Sequence, residues 1–130
     1  MATRANIVQR NSQGSAVLAR WIDLLAGDDG APVSFGYYGD RSIQVTGTFG
    51  GATLRWEGSN DETNYVVLTN PQGTALDLSA AGIRAVTECT HLARPRVIGG
   101  DGTTSLTVTT HMRSGESLRR VIDDNTLLSI

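Results

Sequence analysis

Few residues in this chain are equipped for chemistry. His91 and His111 are the two histidines and Cys89 is the single cysteine in 130 residues. They belong to no Gly-x-Ser-x-Gly elbow, His-Glu-x-x-His helix, phosphate loop or dinucleotide fingerprint. The glycines of GTFGGAT (47–53) have no lysine and no following helix signal, so a hairpin turn is expected there and not a phosphate cradle. His111 falls on a Thr-rich strand face and His91 beside a proline-interrupted segment; both read as solvated or interfacial side chains. Cys89 has no evident Lys or His⁺ partner to lower its pKa, and reads as a small buried or half-buried hydrophobe. Asp28-Asp29 and Asn60-Asp61-Glu62 offer hard oxygen ligands but lack the spacing of a calcium loop, so turn capping is the expectation. Trp21 and Trp56 could stack on a sugar, yet both lie among aliphatics in strand patterns and are assigned to the core. With no triad, dyad or ligand cluster to assemble, no catalysis, metal or cofactor is expected.

The elements that position these residues read as strands. SIQVTGTF (42–49) alternates Ile43, Val45, Gly47 and Phe49 against Ser42, Gln44, Thr46 and Thr48, the period of a half-buried strand. TLRWEGS (53–59) repeats it, with Leu54, Trp56 and Gly58 inward and Arg55 and Glu57 outward, after a Gly50-Gly51 hairpin. YVVLT (65–69), ALDLS (75–79) and TSLTVTTHMR (104–113) supply further strands, and NDETN, NPQG and GGDG the turns. SAVLARWIDLL (15–25) fits a helix stripe or a strand with Leu18, Ile22 and Leu24 on one face; the GDDG and Ala31-Pro32 turn signals after it favour the strand. Ala80-Ala81-Gly82 reads as one helical turn. His91 to Ile98 reads as an extended segment that Pro95 makes an edge or a bulge. Seven or eight short strands with turns between them describe an all-β, single-domain sandwich of the jelly-roll kind.

Composition sets the outer limits. Hydrophobic residues make up 39% and charged residues 18%, too apolar for disorder. No run of 18 apolar residues exists and the first residues lack the apolar stretch of a signal peptide, so neither membrane insertion nor export is expected. All 11 basic residues are arginine. Residues 1–22 carry Arg4, Arg10 and Arg20 without an acid, whereas eight of the acids lie in 23–77. A basic segment on an acidic body suggests docking or self-association more than nucleic-acid binding. Residues 1–14 are expected as an extended arm that orders on a partner, 15–113 as the sandwich, and 114–130 as a second arm ending in apolar residues.

The stretch QVTGTFGGATLRWEGSNDETNYVVLTNPQGTAL (44–76), then AAGIRAVTE and LARPRVIGGDGTTSLTVTTHMR, resembles a family of small proteins of tailed double-stranded DNA bacteriophages. In that family a V-x-G-T-F-G-G-A-T strand precedes G-S-N-D-x-T-N-aromatic, a D/N-P-Q-G turn and R-P-x-V-x-G-G-x-G-T. Its members look like capsid cement, or head decoration, proteins: jelly-roll subunits seated outside the capsid over junctions between capsomers. The match covers roughly 16–113, and Glu62 and Tyr65 depart from the glycine and tryptophan usual at those positions. The resemblance implies a virion structural protein, made in the bacterial cytoplasm and placed on the outer capsid surface. Its partners would be the major capsid protein and a second copy, without nucleic acid or membrane. Contacts are expected from Arg4, Arg10, Arg119, Arg120, Val121, Ile122, Leu127 and Leu128. The competing reading is a tail, fibre or baseplate module that binds host carbohydrate through Asn60, Asp61, Asn64 and Tyr65.

Overall fold

Alternation of apolar and polar residues along short Thr- and Val-rich runs produces strands with one buried face. The computed structural model describes residues 2–12 and 14–114, and among them it has eleven strands and no helix. The strands are β1 (Thr3–Arg4), β2 (Ile7–Arg10), β3 (Ala16–Leu24), β4 (Asp29–Gly30), β5 (Asp40–Thr48), β6 (Thr53–Ser59), β7 (Val66–Val67), β8 (Asp77–Leu78), β9 (Gly82–Val86), β10 (Leu92–Ile98) and β11 (Ser105–Arg113). One sheet runs β2-β3-β11-β5-β9; the other runs β1-β4-β10-β6-β7, with β8 also paired to β6. Leaving aside β1, β2 and β8, the order β3-β11-β5-β9 in one sheet and β4-β10-β6-β7 in the other is that of a jelly roll. The expected all-β sandwich is what the chain forms.

Its core lies between the sheets, where Trp21, Leu24, Ile43, Leu54, Trp56, Leu106, Val108 and Met112 are fully buried. Trp21 and Trp56 meet edge to face with ring centroids 5.8 Å apart, worth about 0.5–1.5 kcal/mol beyond the area they bury. Gly30 makes room for this pair: a Cβ there would lie 2.6 Å from Trp21 Nε1 and 2.7 Å from Pro95 Cγ. Both tryptophans are therefore core residues, as their strand setting implied.

The tertiary arrangement corrects several local expectations. Gly50-Gly51 closes no hairpin, because β5 and β6 lie in opposite sheets and the turn carries the chain across the sandwich. Leu24 is buried with Trp21, while Leu18 and Ile22 face outward. The cause is a bulge: Trp21 is opposite Val108 and Leu24 opposite Leu106, so that Ile22 and Asp23 of β3 stand against Thr107 alone of β11, with Asp23 at φ 59°. Ala80-Ala81 forms a bend and Gly82 begins β9, so no helical turn forms there. Pro95 is neither on an edge nor in a bulge, since β10 pairs along its length with β6 and on its other side with β4 and Val33. Ala93 and Val97 donate N–H groups to Val33 O and Asp28 O. Pro95, which has no N–H, falls between these two bonds, where the neighbouring chain offers no ladder.

Residues 2–12 form no detached arm. β2 pairs with β3, β1 pairs in parallel with β4, and Asn6 Nδ2 donates to Ala31 O at 3.1 Å. The local sequence is polar and aperiodic, yet the edges of both sheets supply backbone partners for it.

Candidate functional site

Arg4 and Arg10 are committed within the chain. Asp28, 3% exposed, accepts from Ala2 N–H and Arg4 Nε at 2.9 Å and from Leu25 N–H at 3.0 Å. Burial acts to raise the Asp28 pKa, but the donors from Leu25, Arg4 and Ala2 outweigh it and hold the carboxyl below its ordinary value. Arg4, its side chain 40% exposed, is thus paired with a carboxylate of its own chain. Arg10 lies with its guanidinium carbon 5.2 Å from the Phe35 ring centre. Arg119, Arg120, Val121, Ile122, Leu127 and Leu128 lie outside the described residues.

The loop between β6 and β7 is built around Asp61. Its Oδ1 accepts from Ser59 Oγ, Thr63 N–H and Asn64 N–H at 2.7–2.9 Å, and its Oδ2 from Asn64 Nδ2 at 2.8 Å. These bonds, the Asn64 N–H foremost, hold its pKa far below the ordinary carboxylate range, which is the turn capping expected of the NDETN segment. Asn60 Oδ1 accepts from His91 N–H at 2.9 Å, and His91 Nε2 lies 3.5 Å from Glu62 Oε1. An open groove of about 400 Å³ beside the loop is lined by Asn60, Asp61, Asn64, Val66, Leu68 and Thr90, with Gly58 and Ser59. Tyr65 is not part of that lining. Its ring takes the Arg94 guanidinium at 3.8 Å, so Asn60, Asp61 and Asn64 are brought together and Tyr65 is directed elsewhere.

Arg94 belongs to a charged sheet face. Its Nε donates to Glu57 Oε1 at 2.8 Å and its Nη1 lies 3.6 Å from Asp29 Oδ2. Glu57, expected outward, does leave the core side of β6, yet it is 2% exposed because Arg94 covers it. Arg55 donates to both carboxylate oxygens of Asp77. Strand register sets Asp29 beside Arg96 and Arg96 beside Arg55. This face, on β1-β4-β10-β6-β7, carries the Arg94–Glu57, Arg94–Asp29 and Arg55–Asp77 pairs, with Arg96 exposed among them.

The opposite face, on β2-β3-β11-β5-β9, has a different chemistry. One cross-strand row reads Ile7, Arg20, Thr109, Gln44, Ile83, and the next reads Gln9, Leu18, His111, Ser42, Ala85. Thr107 and Thr46 follow in register, and Ile22 is exposed on the same face of β3. Arg20 donates to Thr109 Oγ1, and Arg113 lies 3.5 Å from Asp40. Hydroxyls and aliphatics on a sheet face are covered by another protein at a lower desolvation cost than charges. His111 is exposed there, as its strand phase implied.

Two features escaped sequence reasoning. Cys89 is exposed, with Sγ donating to Gly36 O at 3.4 Å, because it lies in the connection after β9 and not in a strand. Arg41 is 95% buried, donating from Nε to Tyr38 O and from Nη2 to Phe35 O; burial lowers its pKa. It braces the loop that displays Tyr37 to solvent. A signal was present, since Arg41 is in phase with Ile43 and Val45 on β5. Among the described residues no three His, Cys, Asp or Glu side chains are grouped to share an ion.

No family model matches this chain, and no curated protein matches it. The crystal structure of the SPBc2 prophage-derived protein YomS is similar, with a TM-score of 0.58 over 75% of this chain and 93% of that one at 9% identity. The Schizosaccharomyces pombe Cnp3 cupin domain follows with a TM-score of 0.43 at 9% identity, covering 88% of this chain and 64% of that one. The hydroxypropylphosphonic acid epoxidase from S. wedmorenis has a TM-score of 0.42 at 17% identity over 83% and 48%. At 9% identity the likeness to the prophage protein is one of fold.

Proposed function

We propose that the chain is a bacteriophage virion structural protein, a capsid decoration protein that lays the outer face of β2-β3-β11-β5-β9 on the major capsid protein from outside. The observation that carries this reading is the contrast between the two sheet faces. One pairs Arg94 with Glu57 and Asp29, and Arg55 with Asp77, whereas the other presents mainly Thr, Ser, Gln and aliphatics over five strands, with Arg20 and the Arg113–Asp40 pair among them. The fold shared with a prophage protein and the phage-type motifs of residues 44–113 point the same way. A shell under outward pressure is strengthened by added interface alone. Stable seating needs roughly 1,200–2,000 Å² of total buried area, and lattice copy number adds avidity. On this reading the protein is a binder and no enzyme.

The test places charge on the seating face and leaves the core intact. Thr109→Glu and Leu18→Glu are expected to keep the fold and to lose occupancy on shells of the same phage that lack the protein. Full occupancy by both folded variants would overturn the reading. The carbohydrate reading keeps one specific observation, the groove at Asn60, Asp61 and Asn64. Loss of host-glycan binding on Asn64→Ala, with shell binding absent, would favour it.

A further inference from the structure

We propose that the outer edge of β2, which no other strand among the described residues pairs with, pairs antiparallel with the β2 edge of a second copy across a two-fold axis. The inference concerns a sheet edge and not the seating face, so it does not rest on the virion reading.

Backbone directions identify the edge. Asn11 N–H donates to Ala16 O, which makes Asn11–Ala16, Gln9–Leu18 and Ile7–Arg20 the hydrogen-bonded pairs of the β2–β3 ladder. On the far side of β3, Ser114 N–H donates to Ser15 O, so the odd-numbered groups of β3 are turned toward β11, as this alternation requires. The N–H and C=O groups of Val8 and Arg10 therefore point away from the sheet. All four residues of β2 are exposed.

The other sheet edges are guarded. β9 carries Arg84 on its edge, with Nη1 donating to Ile83 O at 2.8 Å. β1 and β7 have two residues each. Charge and shortness are the ordinary means of blocking edge-to-edge pairing. β2 is twice the length of β1 and β7, its one charge lies over Phe35, and Ile7 and Val8 are 55% and 39% exposed.

The edge is also its own complement. In the register centred on Val8, Val8 meets the second copy's Val8, Ile7 lies opposite its Gln9, and Arg10 opposite its Asn6. Inner and outer faces stay in phase, as antiparallel pairing demands. The two Arg10 residues are then about 14 Å apart along the strands, beyond the screening length of about 8 Å at physiological salt. The second copy's Ile7 comes to the rim of a depression of about 230 Å³ whose lining includes Gln9, Asn11, Leu18 and His111.

Val8→Pro is the direct test, since it removes the N–H that faces the partner and none that β3 uses. Sedimentation equilibrium of the full chain is expected to give a dimer, and Val8→Pro to raise its dissociation constant by about 100-fold or more, a loss of about 2.8 kcal/mol. Circular dichroism verifies that the variant folds; if it does not, Val8→Lys and wild-type amide exchange decide. Protection at the Val8 and Arg10 amides should rise with protein concentration. A monomer up to about 1 mM, where only interactions weaker than about 4 kcal/mol go unseen, would overturn the proposal. So would a dimer indifferent to both variants, or concentration-dependent protection on β9 in place of β2.

Discussion

Asp28 and Arg94 show how charge is used at the level of single residues: each is buried enough that its partners matter more than its sign. Asp28→Ala would leave Leu25 N–H, Ala2 N–H and Arg4 without their common acceptor. The expected loss is about 2–3 kcal/mol, read as a lower midpoint in urea unfolding. Arg94→Ala would leave the buried Glu57 carboxylate without its cation, at about 3–5 kcal/mol. The double variant Glu57→Leu/Arg94→Leu should recover most of that loss. The pH dependence follows from the same carboxylates. Asp28, Asp61, Glu88 and Asp101 all have folded pKa values below their ordinary ones. Their contribution is present above about pH 4 and is lost as pH falls through the folded values. A melting series should fall off below pH 4, and Asp28→Asn should flatten that decline. The sequence announced the capping carboxylates through their turn settings. It did not announce the burial of Glu57, because Glu57 is paired with Arg94, 37 residues along the chain, whereas the burial of Arg41 was signalled by its phase with Ile43 and Val45.

At the scale of elements, alternation was a reliable guide wherever a strand kept one phase. Ile43 and Val45, Leu54 and Trp56, and Leu106, Val108 and Met112 are all buried as their period implied. It failed where phase changes within a strand, as at Asp23, and where backbone partners are remote, as for residues 2–12. No local pattern states that β5 and β6 belong to different sheets, since a Gly-Gly turn suits a hairpin and a crossing equally. Two substitutions check these points in thermal unfolding. Asp23→Val should destabilise by about 1–2 kcal/mol, because a β-branched residue tolerates the left-handed bulge position poorly, whereas Asp23→Gly should stay within about 0.5 kcal/mol. Gly30→Ala should cost about 1–3 kcal/mol by forcing a methyl group against Trp21 and Pro95.

For the whole molecule, the two outer faces differ in chemistry: ion pairs link the strands of one sheet, and the other carries mainly hydroxyls, amides and aliphatics around Arg20 and the Arg113–Asp40 pair. The resemblance of residues 44–113 to phage proteins leads to the expectation of an interaction protein. The sequence located contact in the termini, whereas residues 2–12 prove to be sheet edges and Arg4 is internally paired. The surface now favoured could not be read from sequence, because it is assembled from five strands spread over more than 100 residues. Removing residues 1–10 should therefore destabilise the sandwich, seen as a lower melting temperature, by deleting β1, β2 and the Arg4–Asp28 pair. The most direct measurement of the central claim is a cryo-EM map of phage particles of the strain that encodes the chain. Jelly-roll density is expected on the outer surface of the shell, with β3, β11 and β5 facing the major capsid protein. Density for this chain confined to the tail or baseplate, or its absence from purified particles, would contradict that claim.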